Sequence, residues 1–143
     1  MKNLYPIFVV GMILVSFAVK AQTTDSWQPV LVNPVNGTNS FNGVEAYYSF
    51  TACSNTEVVL LELINHNNYT VRAAWKNFII NNDGQKMPST VAQDSVTIQP
   101  GGKLIGDCKG SSPSMVYKLT DFGTDKLNAK EYAPGNFDFV IVH

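Results

Sequence analysis

Few residues of this chain could perform acid–base or nucleophilic chemistry. Its two histidines are His66, inside an Asn-rich stretch, and His143, the last residue. A hydrolytic triad needs a histidine beside a nucleophile and a carboxylate, for which Ser95 and Asp94 qualify by residue type alone. The chain has no Gly-x-Ser-x-Gly elbow and no helical His-Glu pair to mark an active site. We therefore expect no catalytic residue, and a small secreted hydrolase using His66 is the last of three hypotheses.

The acidic residues do not indicate a metal or cofactor site. Asp121, Asp125 and Glu131 fall in one polar segment, where they and backbone carbonyls could bind calcium. A hard cation needs several converging oxygens, and no Asp-x-Asp-x-Asp run is present. No pair of carboxylates is marked by its neighbours for glycoside hydrolysis. We expect no metal and no cofactor, and we interpret these carboxylates as solvated loop charges.

The two cysteines, Cys53 and Cys108, are expected to form one disulfide. An exported chain oxidises such a pair by default, and the chain-entropy account assigns roughly 4 kcal/mol to closing a loop of this length. A redox or metal-binding pair is the alternative, but the spacing matches neither a thioredoxin motif nor a zinc motif. The cysteines therefore predict a structural crosslink.

Tyrosines are the side chains that most favour a binding function. Tyr47 falls on the polar face of its predicted strand, and we expect Tyr69 and Tyr117 to be partly exposed. A row of open rings would suit stacking on a sugar or contact with a protein partner. Packing in the core and at its rim is the competing account, because tyrosine is often half buried. Tyr47, Tyr69 and Tyr117 are thus a tentative binding surface.

Residues 1–21 have the features of a secretory signal peptide. Lys2 supplies the positive start, residues 4–19 are apolar, and a cleavage pattern ends at Ala21. The apolar run is short for a membrane span, although an uncleaved anchor is the alternative. Cleavage after Ala21 would leave residues 22–143 as one domain, secreted or periplasmic, with no membrane insertion.

The charge balance argues against nucleic-acid or anionic-membrane partners. The chain has 10 Lys and Arg against 11 Asp and Glu, and cleavage would also remove Lys2 and Lys20. The resulting mildly acidic surface offers no basic patch for phosphate groups. A protein or a glycan is therefore the expected class of partner.

The stretch that must position the other elements is residues 57–80, which we predict to be a β-hairpin. Its first half, residues 57–64, is apolar on both faces and contains a β-branched Val-Val pair, as in a strand that is covered on both sides. The clip His66-Asn67-Asn68 follows, and asparagine tolerates the backbone conformations of a tight connection. We expect the two halves to pair across this clip.

The second half of this predicted hairpin, residues 69–76, alternates between apolar and polar positions. Its inner face would contain Tyr69, Val71, Ala73 and Trp75. A bulge near Asn77 is expected to turn Phe78 and Ile80 inward as well. The predicted core consists of Trp75, Leu61, Leu63, Tyr48 and Phe139.

The rest of the chain predicts further short strands separated by turn residues. These strands are expected at residues 27–32, which suit a sheet edge, and at 44–51, 95–99, 103–108, 115–120 and 136–142. In the last of them Phe137, Phe139 and Ile141 would face inward. Asp83-Gly84 is the strongest turn signal and fits a primed hairpin turn with both residues at positive φ. Residues 125–130 could form a helical turn.

Three features resemble an immunoglobulin- or fibronectin-type module of secreted bacterial proteins. A strand leads through Leu63-Ile64-Asn65 and the Asn-rich clip into Tyr69-Thr70-Val71, the core residue Trp75 follows, and residues 96–102 end in a Pro-Gly-Gly turn. The resemblance and about eight short strands predict an all-β fold, an antiparallel immunoglobulin-like β-sandwich of about 7–8 strands. The antibody-type Cys-Trp-Cys spacing is not met, because Cys108 follows the Pro-Gly-Gly turn.

The resemblance implies a fold and no particular function, because such modules have many functions. The favoured expectation is an exported, non-enzymatic β-sandwich that acts as a binding or protein-interaction module. The alternative is a carbohydrate-binding module that uses exposed tyrosines. The lack of a catalytic set favours both over the hydrolase.

Overall fold

The computed structural model describes residues 26–32, 37–91 and 93–142. The predicted leader 1–21, with its cleavage site, and His143 lie outside these residues. Within them the chain consists of strands, turns and two short 3-10 helices, Pro113–Met115 and Leu119–Phe122. The strands are β1 (Gln28–Pro29), β2 (Ser40–Phe41), β3 (Val44–Cys53), β4 (Thr56–Asn65), β5 (Val71–Lys76), β6 (Phe78–Asn81), β7 (Lys86–Pro88), β8 (Asp94–Ile98), β9 (Lys103–Ile105), β10 (Val116–Lys118), β11 (Ala129–Tyr132) and β12 (Gly135–Ile141).

The largest sheet is organised around β3 and β4. These strands pair antiparallel along their whole length, from Val44 opposite Asn65 to Cys53 opposite Thr56. β1 and β2 pair with the other side of β3, while β9 and β10 pair one after the other with the free side of β4. The edge position predicted for residues 27–32 is confirmed, since β1 lies at the edge of this sheet.

The other two sheets have three strands each and follow one another along the chain. One has the order β12-β5-β8 and the other the order β11-β6-β7. The central strands, β5 and β6, are separated by the single residue Asn77. The edge strands β11 and β12 are likewise separated by Ala133 and Pro134. The same three segments of chain therefore build both sheets.

One hydrophobic core joins the sheets. The five predicted core residues are all buried, and Trp75 and Leu63 are completely inaccessible to solvent. Aromatic rings extend this core, with Trp75 stacked on Phe137 and Tyr117 stacked on Tyr132. Alternation and apolar runs identified the core correctly because both signals depend on burial alone.

The predicted two-sheet immunoglobulin-like sandwich is corrected to three sheets. The all-β, antiparallel character is confirmed, and the described residues contain no α-helix. The middle strand is interrupted at Asn77, whose buried side chain accepts a hydrogen bond from the indole N–H of Trp75. The edge strand is interrupted at Pro134, which lacks the N–H that a continuous ladder would need.

The predicted hairpin over residues 57–80 is wrong. β4 pairs with β3, β9 and β10, whereas β5 pairs with β8 and β12 in a different sheet. The clip between them is a crossover, held by Asn65 at the end of β4. The Asn65 amide donates to the carbonyls of Tyr69, Ile98 and Gln99 at 2.9, 3.2 and 3.1 Å. These bonds direct the chain away from β4, so the clip connects two sheets.

The expected bulge at Asn77 is also wrong. Inward alternation continues from Trp75 through Asn77 to Ile79, which is completely buried, while Phe78 and Ile80 are only partly buried. In β12 the inward assignment holds for Phe139, but Ile141 is 46% exposed. Ile141 lies at the end of its strand and lines an open groove.

Turn chemistry was predicted only in part. The hairpin from β6 to β7 exists, but only Gly84 has a positive φ, of 77°, so the turn is not the primed type. A primed two-residue turn occurs instead between β2 and β3, at Asn42 and Gly43, with φ of 49° and 74°. The predicted helical turn at 125–130 is replaced by a turn and the start of β11.

Candidate functional site

An open groove of about 350 Å³ lies where the β2–β3 turn, the start of β5 and the end of β12 meet. Its lining consists of Asn42, Tyr69, Val71, Phe139 and Ile141, and we call it the Tyr69 groove. One wall is therefore an aromatic ring that is 36% exposed, and the floor is mostly apolar. A groove of this size and composition fits an apolar side chain or a small ring.

Two asparagines hold the crossover that presents Tyr69. The Asn67 amide donates to the carbonyl of Asn42 at 2.8 Å and to the side-chain oxygen of Asn65 at 2.9 Å. The Asn65 amide in turn donates to the backbone carbonyl of Tyr69 at 2.9 Å. These bonds tie the crossover before Tyr69 both to itself and to the β2–β3 turn, which also lines the groove.

The backbone of β12 has hydrogen-bonding groups that face away from the sheet. The N–H of Val142 donates to Thr70 at 3.1 Å, and Val140 lies opposite Arg72 in the antiparallel ladder. Bonded and non-bonded positions alternate in such a ladder. The N–H and C=O groups of Phe139 and Ile141 therefore point to the other side, which we call the β12 edge. Within the described part of the chain, β12 pairs with β5 alone.

The β12 edge is also apolar. Val140, Ile141 and Val142 are 51%, 46% and 43% exposed, and Asp138 is the one charged residue of the strand. The opposite edge of the same sheet, β8, differs because its exposed positions are Ser95 and Thr97. Natural edge strands usually contain polar or charged residues that prevent pairing with other chains. β8 follows this rule, whereas on the exposed face of the β12 edge Asp138 is followed by the apolar residues Val140 and Val142.

Tyr47 lies on a different surface from Tyr69. Its hydroxyl donates to Glu45 at 3.0 Å, and the Nε2 of His66 lies 3.2 Å from the same carboxylate oxygen. The hydrogen bonds from His66 and Tyr47 lower the pKa of Glu45 below its usual value. Within the described part of the chain, the imidazole of His66 pairs with the Glu45 carboxylate and with no serine or cysteine side chain.

Tyr117 is in the core. It is 4% exposed, stacks on Tyr132 and donates its hydroxyl to the carbonyl of Ser114 at 2.7 Å. Burial, together with the nearby carboxylate of Asp94, raises the pKa of Tyr117 far above its usual range. Tyr47, Tyr69 and Tyr117 therefore lie in three separate places, and only Tyr69 lines a groove that includes exposed apolar side chains.

The disulfide between Cys53 and Cys108 is present. Cys53 is the last residue of β3, and Cys108 belongs to the loop 106–112 between β9 and the 3-10 helix Pro113–Met115, which we call the disulfide strap. The carboxylate of Asp107 accepts hydrogen bonds from the backbone N–H groups of Lys109 and Ser111, at 3.0 and 3.1 Å. The predicted pairing is confirmed, and the crosslink ties a loop to a strand end.

The carboxylates considered for calcium do not converge. Asp125 accepts two hydrogen bonds from Asn128, at 3.0 and 2.9 Å, and so closes its own turn. Glu131 is part of β11, in a different element from Asp121. No group of three or more acidic, histidine or cysteine side chains suited to a metal occurs among residues 26–32, 37–91 and 93–142. In those same residues no helix is long and apolar enough to cross a membrane.

Sequence reasoning missed the β12 edge and the two buried asparagines. The apolar run Val140-Ile141-Val142 is visible in the sequence, but alternation predicts only that Ile141 faces inward and does not show that the strand lies at a sheet edge. Asn65 and Asn77 follow apolar stretches, where an isolated asparagine is an available signal of a buried polar anchor. Compared with protein-family models, with curated proteins and with solved structures, the chain matches none of them.

Proposed function

We propose that the chain is an exported, non-enzymatic module that binds an extended polypeptide segment along the β12 edge. The observation that supports this most directly is the coincidence of two features at Phe139 and Ile141. Their backbone N–H and C=O groups face the open side of β12, and their side chains line the Tyr69 groove. The disulfide is consistent with an oxidising, extracytoplasmic compartment.

In strand addition an extended segment pairs with an exposed edge strand. The open backbone groups and the groove side chains of β12 would contribute to this binding in different ways. The backbone groups of an edge strand give affinity by bonding to the main chain of the incoming segment, whatever its sequence. Specificity comes from pockets that accept alternate side chains of that segment. A segment lying beside β12 would place every second side chain on the face of Phe139 and Ile141, next to the Tyr69 groove. The preferred segment therefore alternates between apolar and polar residues, with its apolar residues on that face.

The test is a titration of the chain 22–143 against a fluorescein-labelled peptide of alternating valine and threonine, followed by fluorescence anisotropy. We expect saturable binding that Tyr69→Ala weakens several-fold, because the ring forms a wall of the groove. Tyr47→Ala is the matched control, since it removes a tyrosine from another surface. Absence of saturable binding, or an equal loss in both variants, would overturn the proposal.

Carbohydrate binding is the second candidate, supported by the single ring of Tyr69 beside the amide of Asn42 in the same groove. Aromatic stacking and amide hydrogen bonds are common in sugar recognition, but one ring offers a short platform. A glycan array probed with the chain 22–143 tests it. Glycan binding that Tyr69→Ala abolishes, without any peptide binding, would favour this candidate over strand addition.

A further inference from the structure

We infer that β12 pairs with β12 of a second copy of this chain, antiparallel, about a two-fold axis at Val140. This inference rests on the proposed function, because it uses the same edge, and it names the partner as the chain itself. The two three-stranded sheets of order β12-β5-β8 would then join into one continuous sheet across the dimer. A two-fold contact of this kind is closed, so it covers the β12 edge of both copies and does not grow into fibres through that edge.

The backbone register of β12 is self-complementary. In β12 the free N–H and C=O groups belong to the residues whose backbone points away from β5. Such a residue must therefore lie opposite another of the same kind in the second copy. With the axis at Val140, Phe139 of one copy lies opposite Ile141 of the other, and both have outward-facing groups. Each such pair exchanges two N–H···O bonds, and the axis generates the pair twice.

The side chains of β12 are also compatible with this register. Val140 meets its own symmetry mate on the exposed face, and cross-strand pairs of β-branched residues are favourable. Asp138, the one charge on the strand, lies opposite Val142 of the second copy. Like charges directly opposite one another destabilise a sheet, and this register separates the two aspartates. Phe139 and Ile141 lie together along the Tyr69 grooves of both copies.

Sedimentation equilibrium of the chain 22–143 tests the dimer. We expect reversible association that Val140→Lys weakens at least tenfold, because the axis would bring two added charges face to face. Thr97→Lys is the matched control. Thr97 on β8 and Val140 on β12 both lie opposite Arg72, so the two variants place the same charge beside the same arginine on opposite edges. A monomer at all concentrations, or equal weakening by both variants, would overturn the inference.

Cysteine crosslinking tests the register and does not depend on the stability of either lysine variant. Val140→Cys would place two cysteines at a non-hydrogen-bonded antiparallel pair, where Cα atoms are about 4.5 Å apart, within the range of a disulfide. Mild oxidation should then give a covalent dimer on a non-reducing gel. Asp138→Cys should give none, because its symmetry mate lies far along the strand. Equal crosslinking of the two variants would contradict the register.

The dimer and the peptide-binding function can fail separately. If the chain remains monomeric but binds the valine–threonine peptide, the inference is overturned and the proposed function is supported. If the chain dimerises through Val140 but binds no peptide at concentrations where the monomer predominates, the inference is supported and general peptide binding is overturned. Competition between the peptide and the dimer would support both.

Discussion

The indole Nε1–H of Trp75 donates a 2.9 Å hydrogen bond to the side-chain oxygen of Asn77, two residues further along the chain. The hydroxyl of Tyr132 donates to the same oxygen. All three side chains are at most 2% exposed, and they lie where the two three-stranded sheets meet. The amide of Asn77 is the one buried side-chain polar group without a hydrogen-bond partner in the described part of the chain. Asn77 therefore serves as an acceptor for two buried donors.

Asn77→Ala is expected to lower the free energy of unfolding by about 2–4 kcal/mol. It leaves the Trp75 N–H and the Tyr132 hydroxyl buried without an acceptor, and each unpaired buried group costs about 1–3 kcal/mol. Urea unfolding followed by tryptophan fluorescence measures the change. Asn68→Ala, at an exposed position, is the control and should shift stability by less than about 0.5 kcal/mol. Similar values for the two variants would show that the cluster contributes nothing.

Asn65→Ala should destabilise the fold and also weaken peptide binding. The Asn65 amide bonds to three carbonyls, and its oxygen accepts from the backbone N–H of Asn67 at 3.0 Å. Loss of these bonds should cost about 2–3 kcal/mol and release Tyr69 from its position in the groove. Unfolding and the anisotropy titration measure the two effects.

Asn65→Asp separates the role of the amide nitrogen of Asn65, which donates, from that of its oxygen, which accepts. It keeps an acceptor for Asn67 but places a negative charge beside the three carbonyl oxygens, so it should cost at least as much stability as Asn65→Ala. If Asn65→Asp has the stability of the unmodified chain, the donor bonds do not hold the crossover.

Individual strands could be predicted from the sequence because strand formation and burial leave patterns among neighbouring residues. Alternation located β3 and β5, and the apolar run at 57–64 correctly indicated a strand covered on both faces, as the burial of Val58 through Leu63 shows. Pairing could not be predicted in the same way. Whether the clip at 66–68 closes a hairpin or crosses between sheets depends on acceptors at Ile98 and Gln99, far along the chain.

The candidate site depends on strand order, which has no local signal. Val140-Ile141-Val142 has the same pattern whether its strand is central or at an edge, so the exposed backbone of β12 could not be inferred. Tyrosine exposure was equally undetermined. Tyr117 was grouped with Tyr69 by residue type, yet the pairing of β10 with β4 turns Tyr117 into the core.

Replacing both cysteines, with Cys53→Ser and Cys108→Ser together, should lower the free energy of unfolding by roughly 4 kcal/mol, because the crosslink closes a loop with a sequence separation of 55. The strap should also lose hydrogen-exchange protection, since it is tied to β3 by this bond. Urea unfolding and exchange mass spectrometry measure the two effects. The single variants are not used as controls because each leaves a free thiol. A strap that stays protected would show that the Asp107 bonds suffice.

Alkaline pH should destabilise the fold through its buried tyrosines. Burial is the first cause that raises the pKa of Tyr48, Tyr117 and Tyr132 above the usual value of 10.0, and Asp94 adds to it for Tyr117. A raised pKa in the folded state means that the unfolded chain loses these protons first. The free energy of unfolding is therefore at its full value below about pH 10. Above that pH it falls by up to about 1.4 kcal/mol per pH unit for each tyrosine.

Urea unfolding at stepped alkaline pH, with tyrosinate absorbance recorded in parallel, measures this decline. Ionisation of the buried tyrosines should coincide with unfolding, because Tyr132 is completely buried in the folded chain. Tyr132→Phe should make the decline shallower while lowering stability at neutral pH, since it removes one proton and one hydrogen bond to Asn77. If all tyrosines ionise while the tryptophan signal remains that of the folded chain, the tyrosines are accessible and this account of the core is wrong.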